Sequence, residues 1–171
     1  MEKRLEILDL PNDVRAIVGE CELTGRRTHF TRGGKPVVTL VSHDEYVALR
    51  ETVELANDPA LRGQLDAGEE EVRRGAMLLA EELTGARSGE DRLRIAESVE
   101  RTWQLLTDDD RSAAATMLAA IDDDPIIGAP LFEPLRGFWS LRNGALRIIY
   151  KIVAEARFVV ILALTKAAPA S

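Results

Sequence analysis

The sequence predicts an α+β protein in two parts: an N-terminal α/β domain with a helical arm, then two helices on a small antiparallel sheet. Three observations carry this reading. Asn143-Gly144 lies between two apolar runs, and this dipeptide supplies the two positive-φ residues of a type I′ hairpin turn. Gly33-Gly34 joins an earlier pair of runs, after which Ser42 with Glu45 three residues on forms a helical capping box. Between the halves, residues 60–82 are rich in charge and interrupted by Gly63, Gly68 and Gly75. Such a weak helix suits a segment that folds onto a partner surface.

Taken in order, Arg4 to Leu8 alternates and reads as a short strand. Asp9 is placed to cap a helix with Pro11 in its first turn, carrying Val14, Ile17, Val18 and Cys21 and stopping near Thr24-Gly25. Arg27 to Arg32 and Lys35 to Ser42 are the first hairpin, and the capped helix runs through Tyr46, Leu49, Val53 and Leu55 to about Asn57. Asp58-Pro59 breaks it, and the weak helix follows from Ala60 towards Glu82. Residues 85–91 have linker composition. Arg92 to Ala96 reads as a strand and Ser98 to Leu106 as a helix with Trp103 and Leu106 buried. A helix capped by Thr107 then runs to about Ile121. Asp108 to Asp110 suit its positive end. Phe138 to Arg142, Leu146 to Val153 and Arg157 to Leu164 form a three-stranded antiparallel meander. The boundaries are 1–57 for the N-domain, 58–84 for the arm, 85–91 for the linker and 92–171 for the second domain.

Apolar content of 46% and charged content of 30% are those of a soluble globular protein. The longest apolar run, Phe158 to Leu164, is too short to span a membrane, and Met1 to Glu6 is followed by no apolar core of a signal peptide. One cysteine, Cys21, excludes an internal disulfide and fits a reducing cytoplasm. It reads as a small buried residue. His29 and His43 lack metal-ligand spacing, and Asp122-Asp123-Asp124 reads as a solvated turn, so neither metal nor cofactor is expected. Residues 126–171 hold six basic and two acidic side chains against 16 and 27 in the remainder. This asymmetry fits two mutually attracting modules, or a phosphate-seeking module with its own acidic cover.

In the second strand of the Asn143-Gly144 hairpin, the two-residue period puts Leu146, Ile148, Tyr150 and Ile152 on one face. Arg147, Ile149, Lys151 and Val153 fall on the other. A cation on a rigid strand can present charge to a phosphate; from pattern alone Arg147 reads first as a solvated or ion-paired strand arginine.

The first half resembles the Phd/YefM antitoxin family over about residues 1–84. The resemblance rests on Thr31-Arg32-Gly33-Gly34-Lys35-Pro36, Ser42, and the helix with Tyr46 and Leu49. It implies a homodimerising domain that binds operator DNA, and an arm that covers a toxin. Arg32 occupies the family's Thr-Arg position, whereas the arginine at the start of the first helix has Arg15 as its nearest substitute. Lys35, Arg26 and Arg27 are further phosphate-contact candidates. The apolar patch of the arm, Met77, Leu78, Leu79 and Leu83, is the expected toxin-masking surface.

The second half looks like the RelE/ParE toxin superfamily over about residues 90–166. The carrying residues are Asp124-Pro125, Gly128-Ala129-Pro130-Leu131, Leu135, Gly137, and Trp139 to Tyr150. The resemblance implies cleavage of ribosome-bound mRNA, the protein supplying charge stabilisation and proton transfer. Arg147, Arg142 and Lys166 are the candidate catalytic residues. Leu146 stands where a Tyr usually precedes the Arg, and Lys166 is the one ionisable side chain between Thr165 and Ser171. Losing one charge-stabilising donor costs about 10²–10³ in rate, so attenuation is expected. The whole reads as a cytoplasmic fused toxin–antitoxin protein, with operator DNA and the ribosome or its mRNA as partners. Two alternatives stay open: an active endoribonuclease released by proteolysis near Gly68 to Gly75, and a purely structural interaction protein.

Overall fold

A computed structural model describes residues 4–85, 92–154 and 157–166. The chain is mixed α and β and divides into two compact units between Arg50 and Glu51, inside one helix.

In the first unit, residues 4–6 form no strand, and a 3₁₀ turn spans Ile7–Asp9. The expected strand is replaced because Arg15 reaches back and donates to the carbonyls of Leu8 (2.7 Å) and Leu10 (3.0 Å). Asp9 therefore lies in the turn, and Pro11 takes the N-cap position of helix α1 (Asn12–Thr24). Gly25 closes α1 at φ 66°, in the left-handed region that glycine enters without steric cost. Strands β1 (Thr28–Arg32) and β2 (Lys35–Leu40) form the expected hairpin, with Gly33 and Gly34 both at positive φ. Helix α2 (His43–Ala56) begins where the capping residues place it: Ser42 Oγ accepts the Glu45 N–H at 3.1 Å. Among the described residues of this unit only Cys21 and Ala48 are buried. Leu8, Leu23, Phe30, Val37, Val38 and Tyr46 are exposed.

In the second unit, Asp58 caps helix α3 (Pro59–Arg74), its Oδ1 accepting from the Ala60 and Leu61 N–H groups. The helix expected to reach Glu82 stops at Arg74, because Gly75 turns into the left-handed region at φ 74°. Met77–Leu79 is then a strand, β3, and Ala80–Thr84 a short helix, α4. The expected linker, 85–91, lies outside the described residues from 86 on. Next come β4 (Leu93–Ala96), α5 (Glu97–Leu105) and α6 (Asp108–Asp123), with Thr107 Oγ1 accepting the Asp110 N–H at 3.2 Å. Strands β5 (Ala129–Pro130), β6 (Trp139–Asn143), β7 (Leu146–Val153) and β8 (Phe158–Lys166) are the remaining described elements.

The six strands order β3-β4-β8-β7-β6-β5. The meander β6-β7-β8 is antiparallel as expected, but the sheet is mixed, since β4 runs parallel to β8. Both faces are covered. On one, α5 and α6 pack Val99, Trp103, Met117 and Ile121 against Ile148, Tyr150 and Ile161. On the other, Leu55, Leu61 and Leu65 pack against Ile149, Val160, Leu162 and Ala163. A register shift opposite Ile149 and Tyr150 interrupts the alternation of β8, so Leu162 and Ala163 both join the second cluster.

A candidate phosphate site under an acidic cover

The face of β7 that carries Arg147 is the face covered by the end of α2 and by α3. Arg147 is 7% exposed, with its Nε 3.1 Å from Glu51 Oε1 and its Nη2 3.5 Å from Glu54 Oε2. The Nε contact is ionic and not a hydrogen bond, because its N–H is misaligned. Glu51 Oε1 also accepts the hydroxyl of buried Ser140 at 2.5 Å. Four residues along β7, Lys151 pairs with Glu69 of α3 and sits 4.3 Å from the centre of the Phe138 ring. Both cations of the face thus have carboxylate partners from residues 51–69. A phosphate would have to displace Glu51 to reach the Arg147 guanidinium.

The three catalytic candidates do not share one environment. Arg142 is the cross-strand partner of Arg147, but it is exposed and its Nε donates to Gly144 O at 3.1 Å. Lys166 lies opposite Leu146, on the α6 face, and pairs with Asp110. That pairing and the Thr107 hydroxyl hold the Asp110 carboxyl below the usual range. Lys166 and Arg147 are therefore on opposite faces of the sheet. Tyr150, also on the α6 face, donates to Pro125 O (2.9 Å) and accepts the Gly128 N–H (3.1 Å). Burial pushes its phenol up.

The expected masking residues divide between an edge of the sheet and its two faces. Met77, Leu78 and Leu79 pair in register with Ala96, Ile95 and Arg94, extending the sheet at its β4 edge. Met77 touches the cluster under α3, whereas Leu83 packs on the opposite cluster. The covering side chains are Leu61, Leu65 and Val72, with Gly68 between them. Their spacing of four, three and four residues is a helical stripe legible in the sequence. Glu51 and Glu54 carried no such signal, because their helix reads as part of the N-domain. Thr52 and Glu71 are also buried: Thr52 Oγ1 accepts the Phe132 N–H (3.0 Å) and Glu71 Oε2 the Ser98 N–H (2.9 Å).

In the first unit, Arg32 and Lys35 are exposed cross-strand partners at the hairpin tip. Arg15 is engaged with the Leu8 and Leu10 carbonyls, Arg26 with Glu20 (3.2 Å) and Arg27 with Glu45. Among the described residues no group of three metal-binding side chains converges and no helix is long and apolar enough to cross a membrane.

No protein-family model and no curated protein matches this chain. Solved structures are similar to part of it. The RelBE2 toxin–antitoxin complex of Mycobacterium tuberculosis is 28% identical over 43% of this chain and 94% of that one, with a TM-score of 0.41. The isolated RelE toxin of E. coli is 18% identical over 46% and 86%, TM-score 0.41. The intact E. coli RelBE complex is 22% identical over 44% and 95%, TM-score 0.39.

Proposed function

We propose that this is a fused toxin–antitoxin protein in which residues 51–84 cover a RelE-like mRNA interferase fold and leave it inactive in the intact chain. The observation that carries this is the burial of Arg147 against Glu51 and Glu54. In such chemistry a cation stabilises charge that develops on the attacked phosphate. A guanidinium neutralised and shut from water cannot do so. The Trp139-to-Tyr150 motif supports the RelE-like part of the reading. The test is the purified full-length chain added to programmed ribosomes. We expect no mRNA cleavage, and none from Glu54→Ala. Cleavage by the wild-type chain at a rate near that of a free toxin overturns the reading.

For the N-terminal unit the proposed role is operator binding as a homodimer. The exposure of Leu23, Phe30, Val37 and Val38 in a unit with two buried residues among those described supports a second copy as its missing core. Arg32 and Lys35 are the basic pair offered to phosphate. Sedimentation gives the oligomeric state, and a gel shift at low salt with DNA from upstream of the gene tests binding. A monomer that shifts no DNA removes this half of the proposal.

A further inference from the structure

We infer that residues 51–84 are an obligate layer of the second unit's core, and not a lid docked on a finished domain. Four features make the cover part of the fold. Leu61 (1% exposed) and Leu65 (3%) meet Ile149 (0%), Val160 (1%) and Leu162 (1%), so without the cover the middle of β7 and β8 would be a continuous apolar surface. A domain built to work uncovered does not present such a face to water. The two β7 cations beside it, Arg147 and Lys151, are paired with Glu51 and Glu69 of the cover.

The second feature is the backbone. Helix α5 has Ala96 at its N-cap, which offers no side-chain acceptor, and Glu71 of α3 takes the Ser98 N–H in its place. Thr52 likewise takes the Phe132 N–H. Stripped of the cover, the Ser98 N–H loses this acceptor. Third, β3 pairs with β4 over three residues and occupies that edge of the sheet. Fourth, α3 approaches β8 so closely that a Cβ on Gly68 would lie 2.9 Å from Leu162 O. A side chain there would clash, so the approach of helix to strand needs the glycine, as in a close-packed core.

Removing the cover therefore unfolds the sheet and does not uncover a nuclease. Proteolysis within α3 yields loss of structure. This holds whatever the sheet binds, so it stands or falls separately from the interferase reading.

The test is native-state hydrogen exchange on the full-length protein across a urea series. If the cover is core, the slowest amides of α3, β7 and β8 exchange through one opening, with a common urea dependence and protection within about threefold. Leu65→Ala then raises exchange in α3 and in β7–β8 together, by about tenfold or more. The inference is overturned if α3 exchanges through its own smaller opening while β7 and β8 keep full protection. Should Leu65→Ala fail to fold, the wild-type urea series decides alone.

Discussion

Glu51 stands 3.1 Å from Arg147, and the two side chains are 12% and 9% exposed. The pair is the electrostatic centre of the covered face. Removing one member of a buried pair leaves an uncompensated charge, so Glu51→Gln should lower stability by about 3 kcal/mol. Glu54, 56% exposed in the same cluster, is screened by water, and Glu54→Gln should cost less than about 1 kcal/mol. Replacing both members, as Glu51→Leu with Arg147→Met, should recover most of the loss. Urea denaturation followed by tryptophan fluorescence reads all three, because Trp103 and Trp139 both lie in this unit.

Gly63 and Gly68 sit in one helix and should respond oppositely to alanine. A Cβ at Gly63 meets nothing within 4 Å, so Gly63→Ala should stabilise by about 0.5–1 kcal/mol through helix propensity. A Cβ at Gly68 meets a backbone oxygen at 2.9 Å, and forcing the layers apart should cost about 1–3 kcal/mol. Thermal midpoints of the two variants should bracket the wild type. Equal shifts in one direction would count against the close approach.

Two titrations have defined signs. Asp110 has a lowered pKa in the fold, through Lys166 first and Thr107 next. Its contribution to stability is present above the ordinary carboxylate pKa and is lost as pH falls through the folded value. In Lys166→Met the Asp110 pKa, read by carbon-detected NMR, should move back up; no movement would break the assigned pairing. Tyr150 is the opposite case: burial raises its pKa, so the fold favours the neutral phenol. Stability should decline as pH rises from the ordinary tyrosine value near 10. Tyr150→Phe removes that dependence, and costs about 1–3 kcal/mol by leaving the Gly128 N–H and Pro125 carbonyl unpaired.

Arg32 and Arg15 separate binding from folding. Arg32→Ala at the exposed hairpin tip should weaken operator binding and reduce the salt slope by about one, with the melting curve unchanged. Arg15→Ala releases the Leu8 and Leu10 carbonyls, and should loosen the turn before α1, visible as faster amide exchange there. An Arg32→Ala variant that binds with the wild-type salt slope would exclude that residue from the phosphate contacts.

The local signals were legible where backbone chemistry decides. Gly33-Gly34, Ser42, Asp58 and Thr107 each sit at the expected turn or cap, because positive φ and orphan N–H groups are met by neighbours in sequence. The second hairpin is displaced by one residue: Asn143 pairs with Leu146 at the end of β6, the loop is Gly144-Ala145, and Gly144 alone has positive φ, so the expected type I′ turn on Asn143-Gly144 does not form. The faces of β7 were also legible, since alternation alone sorts Arg147 from Ile148. What failed needed distant partners. Met77 to Leu79 became a strand because β4 offered an unpaired edge, which no helical propensity could announce. Glu51 and Glu54 carry no signal of their own in the sequence, because their partner Arg147 is more than 90 positions away. The RelE/ParE resemblance groups Lys166 with Arg147, whereas strand register puts it on the other face. Charge asymmetry gave the acidic cover in outline but not its residues.

The place of β8 in the sheet sets an order of events during synthesis. It is the last strand described and lies between β4 and β7, so the sheet cannot close until residues up to 166 have left the ribosome. By then the Leu61–Leu65–Gly68 stripe and the carboxylates of Glu51 and Glu54 have long been made, since chains emerge from the N-terminus at about 5–20 residues per second. Each newly made Arg147 meets a counter-ion synthesised several seconds before it. Cover and sheet are always present one to one, independent of expression level, dilution or the order of two genes.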